Sequence, residues 1–494
     1  MRCMKKGSAL LIALTVLCSV LFACPALTAS ADSVNQPEVG KVGVYYRQIS
    51  NLGIDPEDLH QRFLNCLSTG TNQLVLSDYQ ISVSALPTIF DYLRCEVIEG
   101  FVLQSAYGYS YQPTEQGDMV VYIKLYYNEL YDHYEENLAA CEAAADTLLK
   151  GVAGNDVLTD AEKALLIHDR LILHGAFNQT ALDAGVQADV DYTLYGVLVN
   201  RIGMCEGYAK AYRYLLNKVG IPNYYVNSAK WRHAWVIVYI DDKPYHVDIT
   251  SDDPIYDVLG RVRHKYFLVS DDMLQNGHSD QWGNADDYQD SLPEIPNDTT
   301  YDNAYWQNSD AAVQLIGGKL YYMDSQNSAL KAVTGDQSLL NVNFRWWTLN
   351  TQTGRAGIWN ANCTTIADFA GYLLYSQPDG VYRLDLTTGE TKLVFQSPLA
   401  AAVTTAVYGI TCTDGRLNYE IKVTPNDRTP LLAGSIVMGD ANNDGVLNVL
   451  DLVRAKKLLA DQDEAVVPGF GRMENAADMI LLRKLTLFGA DSLE

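Results

Sequence analysis

Basic side chains are scarce in this chain. Against 60 Asp and Glu stand only 36 Lys and Arg, a formal net charge of −24. Without a basic stripe there is no electrostatic footprint for a polyanionic backbone, which argues against nucleic acid as a partner. Cysteine is sparse as well. Beyond Cys24 there are Cys66, Cys95, Cys141, Cys205, Cys363 and Cys412, too few for a disulfide scaffold. A Cys363–Cys412 bridge and plain buried thiols both stay open. Long apolar runs are missing after Ala9–Ala23, and that one is short for a bilayer helix, so no membrane span is expected. No carboxylate pair sits in a carbohydrase motif, which leaves a glycoside hydrolase without support.

The run Ala9–Ala23 follows Arg2, Lys5 and Lys6 and precedes Ala29-Ser30-Ala31, which together describe a secretory signal peptide over 1–31. The protein is expected outside the cell. Removing those three basic residues takes the net charge to −27. Leu21-Phe22-Ala23-Cys24 resembles a lipoprotein cleavage box, against which the bulk of Phe22 counts. A single core rarely grows beyond about 250–300 residues, so 494 residues predict several domains.

The densest chemistry lies between Gly203 and Pro254. After Cys205, apolar residues at Ala209, Tyr212, Leu215, Leu216 and Val219 recur at helical spacing, and Gly220 with Pro222 supplies the stop. Cys205 therefore opens a helix, where unpaired backbone N–H groups and the helix dipole favour the thiolate, the nucleophilic form. His233–Ile240 and Tyr245–Ile249 read as strands, with Asp241-Asp242 as the turn. If Ile240 faces Lys243, Asp248 lies opposite Trp235, and His233 and Asp248 become diagonal neighbours on one face. A thiol, an imidazole and an orienting carboxylate are the parts of a cysteine nucleophile. Singly, a buried Cys or a surface His or Asp is the commoner role; the combination is what points to chemistry.

The string G-M-C-E-G-Y-A, then H-A-W, then Y-H-V-D-I-T-S-D-D-P resembles the bacterial transglutaminase-like superfamily over about residues 160–270. The resemblance implies a papain-like core with Cys205 as nucleophile, His233 as base and Asp248 as orienting acid. Met204 and Asp242 depart from the family pattern without touching those three. The backbone N–H of Cys205 is the natural first oxyanion donor, with Tyr192 and Tyr195 as candidates for the second.

The fold class expected is multidomain α+β: signal peptide 1–31, an N-terminal α/β domain 32–154, the transglutaminase-like catalytic domain 155–284, a linker 285–304, a β-rich accessory module 305–434 and a small all-α calcium-binding tail 435–494. In the first domain Pro56–Leu67 and Tyr131–Leu149 read as helices and Gly100–Gly108 and Met119–Tyr127 as strands. Asp160–His174 is another amphipathic helix, whose His168 and Asp169 read as structural because adjacent helix positions point different ways. In the β-rich module Gly318–Tyr322 and Gly371–Tyr375 resemble each other like units of propeller repeats, too few to close a ring. Trp346, Trp347 and Trp359 either fill that sheet or stack on sugar rings, the first being favoured.

In the tail, G-D-A-N-N-D-G-V-L-N-V-L-D supplies oxygens at alternate positions: Asp440, Asn442, Asp444, the Val446 carbonyl, Asn448 and Asp451, around Gly445. Calcium is the cofactor this predicts, in a structural role; none is expected for catalysis. Asn475, Asp478, Ile480, Lys484 and Leu485 repeat Asn448, Asp451, Val453, Lys457 and Leu458 after 27 residues, but Val467, Gly469 and Gly471 stand where the ligands would be. The duplicated half-EF-hands resemble a type I dockerin. That implies a cohesin module of a scaffold protein as partner, contacts at Val449, Leu450, Lys456, Lys457, Arg483 and Lys484, and a cell-surface or cellulosome-like, polysaccharide-degrading assembly. The expected function is a secreted cysteine enzyme acting on amide bonds of protein or peptide substrates by hydrolysis, with protein cross-linking or a non-catalytic scaffold role as the alternatives.

Overall fold

The computed structural model describes residues 44–228, 231–255, 257–282, 292, 294–350, 353–399 and 405–489. The expected signal peptide and Cys24 lie outside them. Among the described residues no helix is long and apolar enough to cross a membrane.

The first layer is built from α1 (Pro56–Thr69), α2 (Leu86–Cys95), a long hairpin of β1 (Leu103–Thr114) with β2 (Gly117–Tyr127), and α3 (Tyr134–Leu148). Asp55 caps α1, and Gly70 ends it at φ +67, a conformation that costs a glycine little. α4 (Asp160–His174) starts on a capping box of Thr159 and Glu162. α5 (Cys205–Lys218) then packs on a four-stranded antiparallel sheet of β3 (Asn223–Ser228), β4 (His233–Ile240), β5 (Lys243–Val247) and β6 (Phe267–Val269), in that order. The turn α6 (Ile249–Asp252) follows β5 directly, and α7 (Asp271–Trp282) follows β6.

The expected border between 32–154 and 155–284 does not divide the core. One apolar cluster runs from Tyr45 through Phe63, Leu93 and Val120 to Tyr212, Val236 and Phe267. Polar ties cross it as well: Arg94 meets Glu206 at 2.7 Å, and the buried Arg213 donates to the Cys95 carbonyl and to Glu96. The segment expected as a linker is docked in its described part. Asp298 accepts from Lys243 Nζ and Tyr245 Oη, each at 2.6 Å, and Asp302 accepts from Ser270 N and Oγ at 2.8 and 2.7 Å. A free tether would leave those carboxylates in water.

Residues 314–437 form antiparallel meanders: four strands over 314–341, a hairpin of Arg345–Leu349 with Ala356–Asn360, four strands over 366–396 and three over 406–437. The two similar pentads occupy equivalent places. Each opens the second strand of a four-stranded sheet after a two-residue turn with positive φ, at Gly317-Gly318 (+55, +74) and Ala370-Gly371 (+55, +80). Trp359 is fully buried and donates to Thr348 Oγ1 at 2.8 Å, whereas Trp347 is 52% exposed under Arg345.

The border at 434/435 falls inside the strand Leu432–Val437, which pairs with Arg416–Lys422. Met438, Leu458, Phe470 and Leu482 share a core with Phe369, Val381 and Val394, so the tail is continuous with the β-rich module. The tail's helices, α8 (Val449–Asp461) and α9 (Ala476–Phe488), flank a small ladder of Val466-Val467 with Gly471-Arg472, which makes it not purely helical. All six cysteines from Cys66 onward are free thiols.

Candidate active site

Cys205 is the first residue of α5, preceded by Met204 in extended conformation with no side-chain cap. Gly203 and Gly207 bracket it because the chain over 191–197 passes close behind. A Cβ on Gly207 would lie 2.8 Å from the Asp191 carbonyl oxygen and 2.9 Å from that of Thr193. Met204 N donates to Asp191 O at 2.7 Å, fixing where the helix begins.

The hairpin forms in the expected register. Ile240 pairs with Lys243 and Val236 with Val247, and Asp241 and Asp242 take φ of +52 and +62, as a tight two-residue turn requires. His233 thereby starts β4 and Asp248 follows β5, with His233 Nε2 2.9 Å from Asp248 Oδ2. Cys205 interacts with the same imidazole. Burial works against a charged His233, but Asp248 and Cys205 outweigh it and push the group up to about 10. Asp248 is 1% exposed; burial would raise its carboxyl, yet His233 and His278 hold it well below the usual carboxylate range. Cys205, His233 and Asp248 are thus brought together. Tyr192 lies within electrostatic reach of Cys205, while Tyr195 turns away to stack on Phe101.

Neighbours to which the sequence assigned no role complete the site. Ser251 Oγ donates to Asp248 Oδ2 at 2.7 Å, and its N–H to Oδ1 at 3.2 Å. His278, on α7, places Nε2 3.2 Å from Asp248 Oδ2. Trp231 stacks on Trp235, which in turn stacks on His233 and donates to His246 Nδ1 at 3.0 Å; His246 Nε2 meets Asp271 Oδ1 at 3.1 Å. The remaining acids of T-S-D-D-P hold the loop: both oxygens of Asp252 accept from Tyr266 N, and Asp253 takes the Tyr208 hydroxyl at 2.6 Å, burial pushing Asp253 up to about 8.

A second buried cluster was not expected. His168 Nδ1 lies 2.9 Å from Asp169 Oδ1, although the two are adjacent on α4, and His264 Nε2 meets the same oxygen at 2.9 Å. Among the described residues this is the one set of three His, Cys, Asp or Glu donors within 4.8 Å. Asp169 Oδ2 accepts from Val313 N at 2.7 Å and His264 Nδ1 faces Ser309 O at 2.9 Å, so it reads as a hydrogen-bonded chain.

In the tail, Asp440 accepts from Asp444 N and Gly445 N, and Asp451 from Ala441 N, Asn442 N and Asn448 N. Asn442 contacts Asp444, and Asn448 Nδ2 donates to the Val446 carbonyl. Gly445 sits at φ +82, as the sharp turn demands. The donor set is all hard oxygen on a loop already curled around itself, which fits calcium. The second segment has a buried Val467, Gly469 and Gly471 where Asp440, Asn442 and Asp444 stand in the first, and keeps side-chain oxygens only at Asn475 and Asp478. Asn475 caps α9; Asp478 accepts from Glu474 N and meets Lys392 at 3.2 Å. Leu482 and Leu458 lie in the shared core, while Ile480 and Val453 are exposed. So are Val449, Leu450, Lys456, Lys457, Arg483 and Lys484.

Residues 147–249 match the model of the transglutaminase-like superfamily and include Cys205, His233 and Asp248, so the chain carries a domain of that class. Of solved structures, one is a TGase, 21% identical with a TM-score of 0.21 over 29% of this chain and 44% of that one. Another, from Cytophaga hutchinsonii, is a candidate cysteine protease, 12% identical with a TM-score of 0.18 over 30% of this chain and 64% of that one. This chain therefore spans less than two thirds of either. No curated protein matches.

Proposed function

We propose that this protein is a secreted cysteine enzyme that cleaves amide bonds in protein or peptide substrates, with Cys205 as nucleophile, His233 as acid and base, and Asp248 as the group that orients His233. The carrying observation is the imidazole held between Asp248 at 2.9 Å and the Cys205 thiol at the start of α5. Cys205 Sγ attacks the carbonyl carbon and forms a C–S bond. The proton on His233 passes to the departing amine as the C–N bond breaks, leaving a thioester. The N–H of Cys205 at the open helix end is placed to stabilise the oxyanion. His233 then takes a proton from water, the hydroxide displaces the thiol, and the acid product leaves. A lysine amine in place of that water would give cross-linking.

The tail supports a docking role. Asp440, Asn442, Asp444, the Val446 carbonyl, Asn448 and Asp451 would hold calcium, which neutralises the loop's charge and stiffens it. The exposed Val449, Leu450, Lys456, Lys457, Arg483 and Lys484 are then the contacts for a cohesin module, placing the enzyme on a cellulosome-like assembly. The test incubates the full chain with a peptide library, with and without a lysine-mimic amine, beside Cys205→Ala. New termini or released ammonia that vanish in Cys205→Ala support hydrolysis, and amine incorporation supports cross-linking. Turnover unaffected by Cys205→Ala would refute the role of the thiol.

A further inference from the structure

We infer that His278 is a positioning residue of this site, a second imidazole that meets the same Asp248 carboxylate oxygen as His233 and fixes its direction; the inference rests on the function proposed above. His278 lies 30 residues beyond Asp248 on α7 and is 2% exposed. Its ring lies flat on Tyr266, centroids 4.2 Å apart and planes 8° off parallel, with Trp231 at 6.1 Å and His233 at 6.5 Å. Tyr266 is itself pinned by its N–H on Asp252 at 3.1 Å. The start of α7 is pinned by Asp271 on His246, so the helix cannot shift His278 away. Its Nε2 therefore comes to 3.2 Å from Asp248 Oδ2 by construction of the fold.

That oxygen is crowded. His233 Nε2 at 2.9 Å, Ser251 Oγ at 2.7 Å and His278 Nε2 at 3.2 Å all face Oδ2, while Oδ1 takes Ser251 N at 3.2 Å. A carboxylate 1% exposed needs partners to remain ionised, and here they are the hydrogen bonds of His233 on β4 and Ser251 on α6 and the ion-pair contact of His278 on α7. Contacts from three elements also stop the carboxylate from turning about its last bond. Ser251 is local to Asp248 and moves with it, so it cannot set the carboxylate's direction relative to the sheet. His278 can, because it stands on another element. The titratable groups facing it are Asp248, His233, His246 and Tyr266, with Cys205 behind His233. Outer partners of metal-ligating side chains commonly change a site's performance about 10- to 100-fold when removed, and His278 stands to the Asp248–His233 pair as such an outer partner.

The experiment measures the rate at which chloroacetamide alkylates Cys205 in the full chain from pH 4 to 9, read by peptide mass spectrometry, together with the thermal midpoint. His278→Phe keeps a ring on Tyr266 and loses the N–H; His278→Gln keeps an N–H and loses the ring. Labelling of Cys205 in the wild type should exceed that of the other thiols. In His278→Phe it should fall about tenfold at pH 5–6, while His278→Gln stays near the wild-type profile. If His278→Phe does not fold, His278→Leu takes its place with the same expected loss. A wild-type profile in the donor-less variant overturns the inference and leaves the proposed function standing. Equal shifts in both variants, tracking equal losses of thermal midpoint, overturn it as well, since that is mere packing. A wild-type Cys205 no more reactive than the other thiols overturns the proposed function and this inference with it.

Discussion

Replacing Asp169 by Ala should loosen the junction between the catalytic domain and the β-rich module, with a pH signature that identifies the cause. Its carboxylate, 1% exposed, meets His168 Nδ1 and His264 Nε2 at 2.9 Å and Val313 N at 2.7 Å, while His168 Nε2 stands 3.3 Å from Asp252. Truncation leaves buried donors without an acceptor and a buried imidazole without its counter-charge, a class of change that costs about 3–5 kcal/mol. The titration argument agrees. Burial lowers His168, but Asp169 and Asp252 outweigh it and raise the group from 6.5 to about 9, which at roughly 1.4 kcal/mol per pH unit is about 3 kcal/mol. For a core unit of about 200 residues that is roughly 6–12 °C in Tm. The raised His168 contributes fully below pH 6.5, and its share fades as pH rises through about 9. Asp169, drawn down to about 2 by the two imidazoles against its burial, contributes above about pH 4 and fades as pH falls toward 2. Urea unfolding of wild type and Asp169→Ala should therefore differ most between about pH 4 and 6.5, and the gap should narrow toward pH 9 as the His168 share is lost while the Val313 N–H bond remains. A loss under about 1 kcal/mol, or one that does not vary with pH, would refute the reasoning.

Other outcomes follow from the same structure. Asp248→Asn should keep the fold but lower turnover roughly 10⁴-fold through a mis-set imidazole tautomer, while Cys205→Ala abolishes it; steady-state kinetics on an identified amide substrate decides. Gly207→Ala drives a Cβ against two backbone carbonyls and should cost about 1–3 kcal/mol while weakening Cys205 labelling, read by thermal melts and alkylation in parallel. Calorimetry on the full chain should count one calcium ion, and ion at 100 times its Kd should add about 2.7 kcal/mol to the tail's stability; a count of two would mean that the second segment recruits ligands from elsewhere. The full chain is required because the tail shares its core with the β-rich module.

Local rules were enough for much of this protein. A helix opening at Cys205, a two-residue turn at Asp241-Asp242 and strict alternation along the strands fix where three side chains go, because each rule acts within about 15 residues. The same holds for the loop at Asp440–Asp451, whose oxygens come at alternate positions around Gly445. Other features lay beyond such rules. His278 reaches Asp248 only because α7 folds back over the sheet, and nothing near either residue announces it. His168 and Asp169 looked divergent on one helix, yet a flexed imidazole reaches its neighbour once both are buried and His264 arrives from 95 residues away. The expected borders at 154/155 and 434/435 do not fall at breaks in the packed core. A shared core depends on which apolar faces find each other, as Met438 and Phe470 find Phe369 and Val394. The sequence alone determined where the thiol, the imidazole and the Asp440–Asp451 loop stand in their elements; tertiary packing decided what holds Asp248 in place and which segments fold together, because burial and long-range contact are properties of the assembled chain.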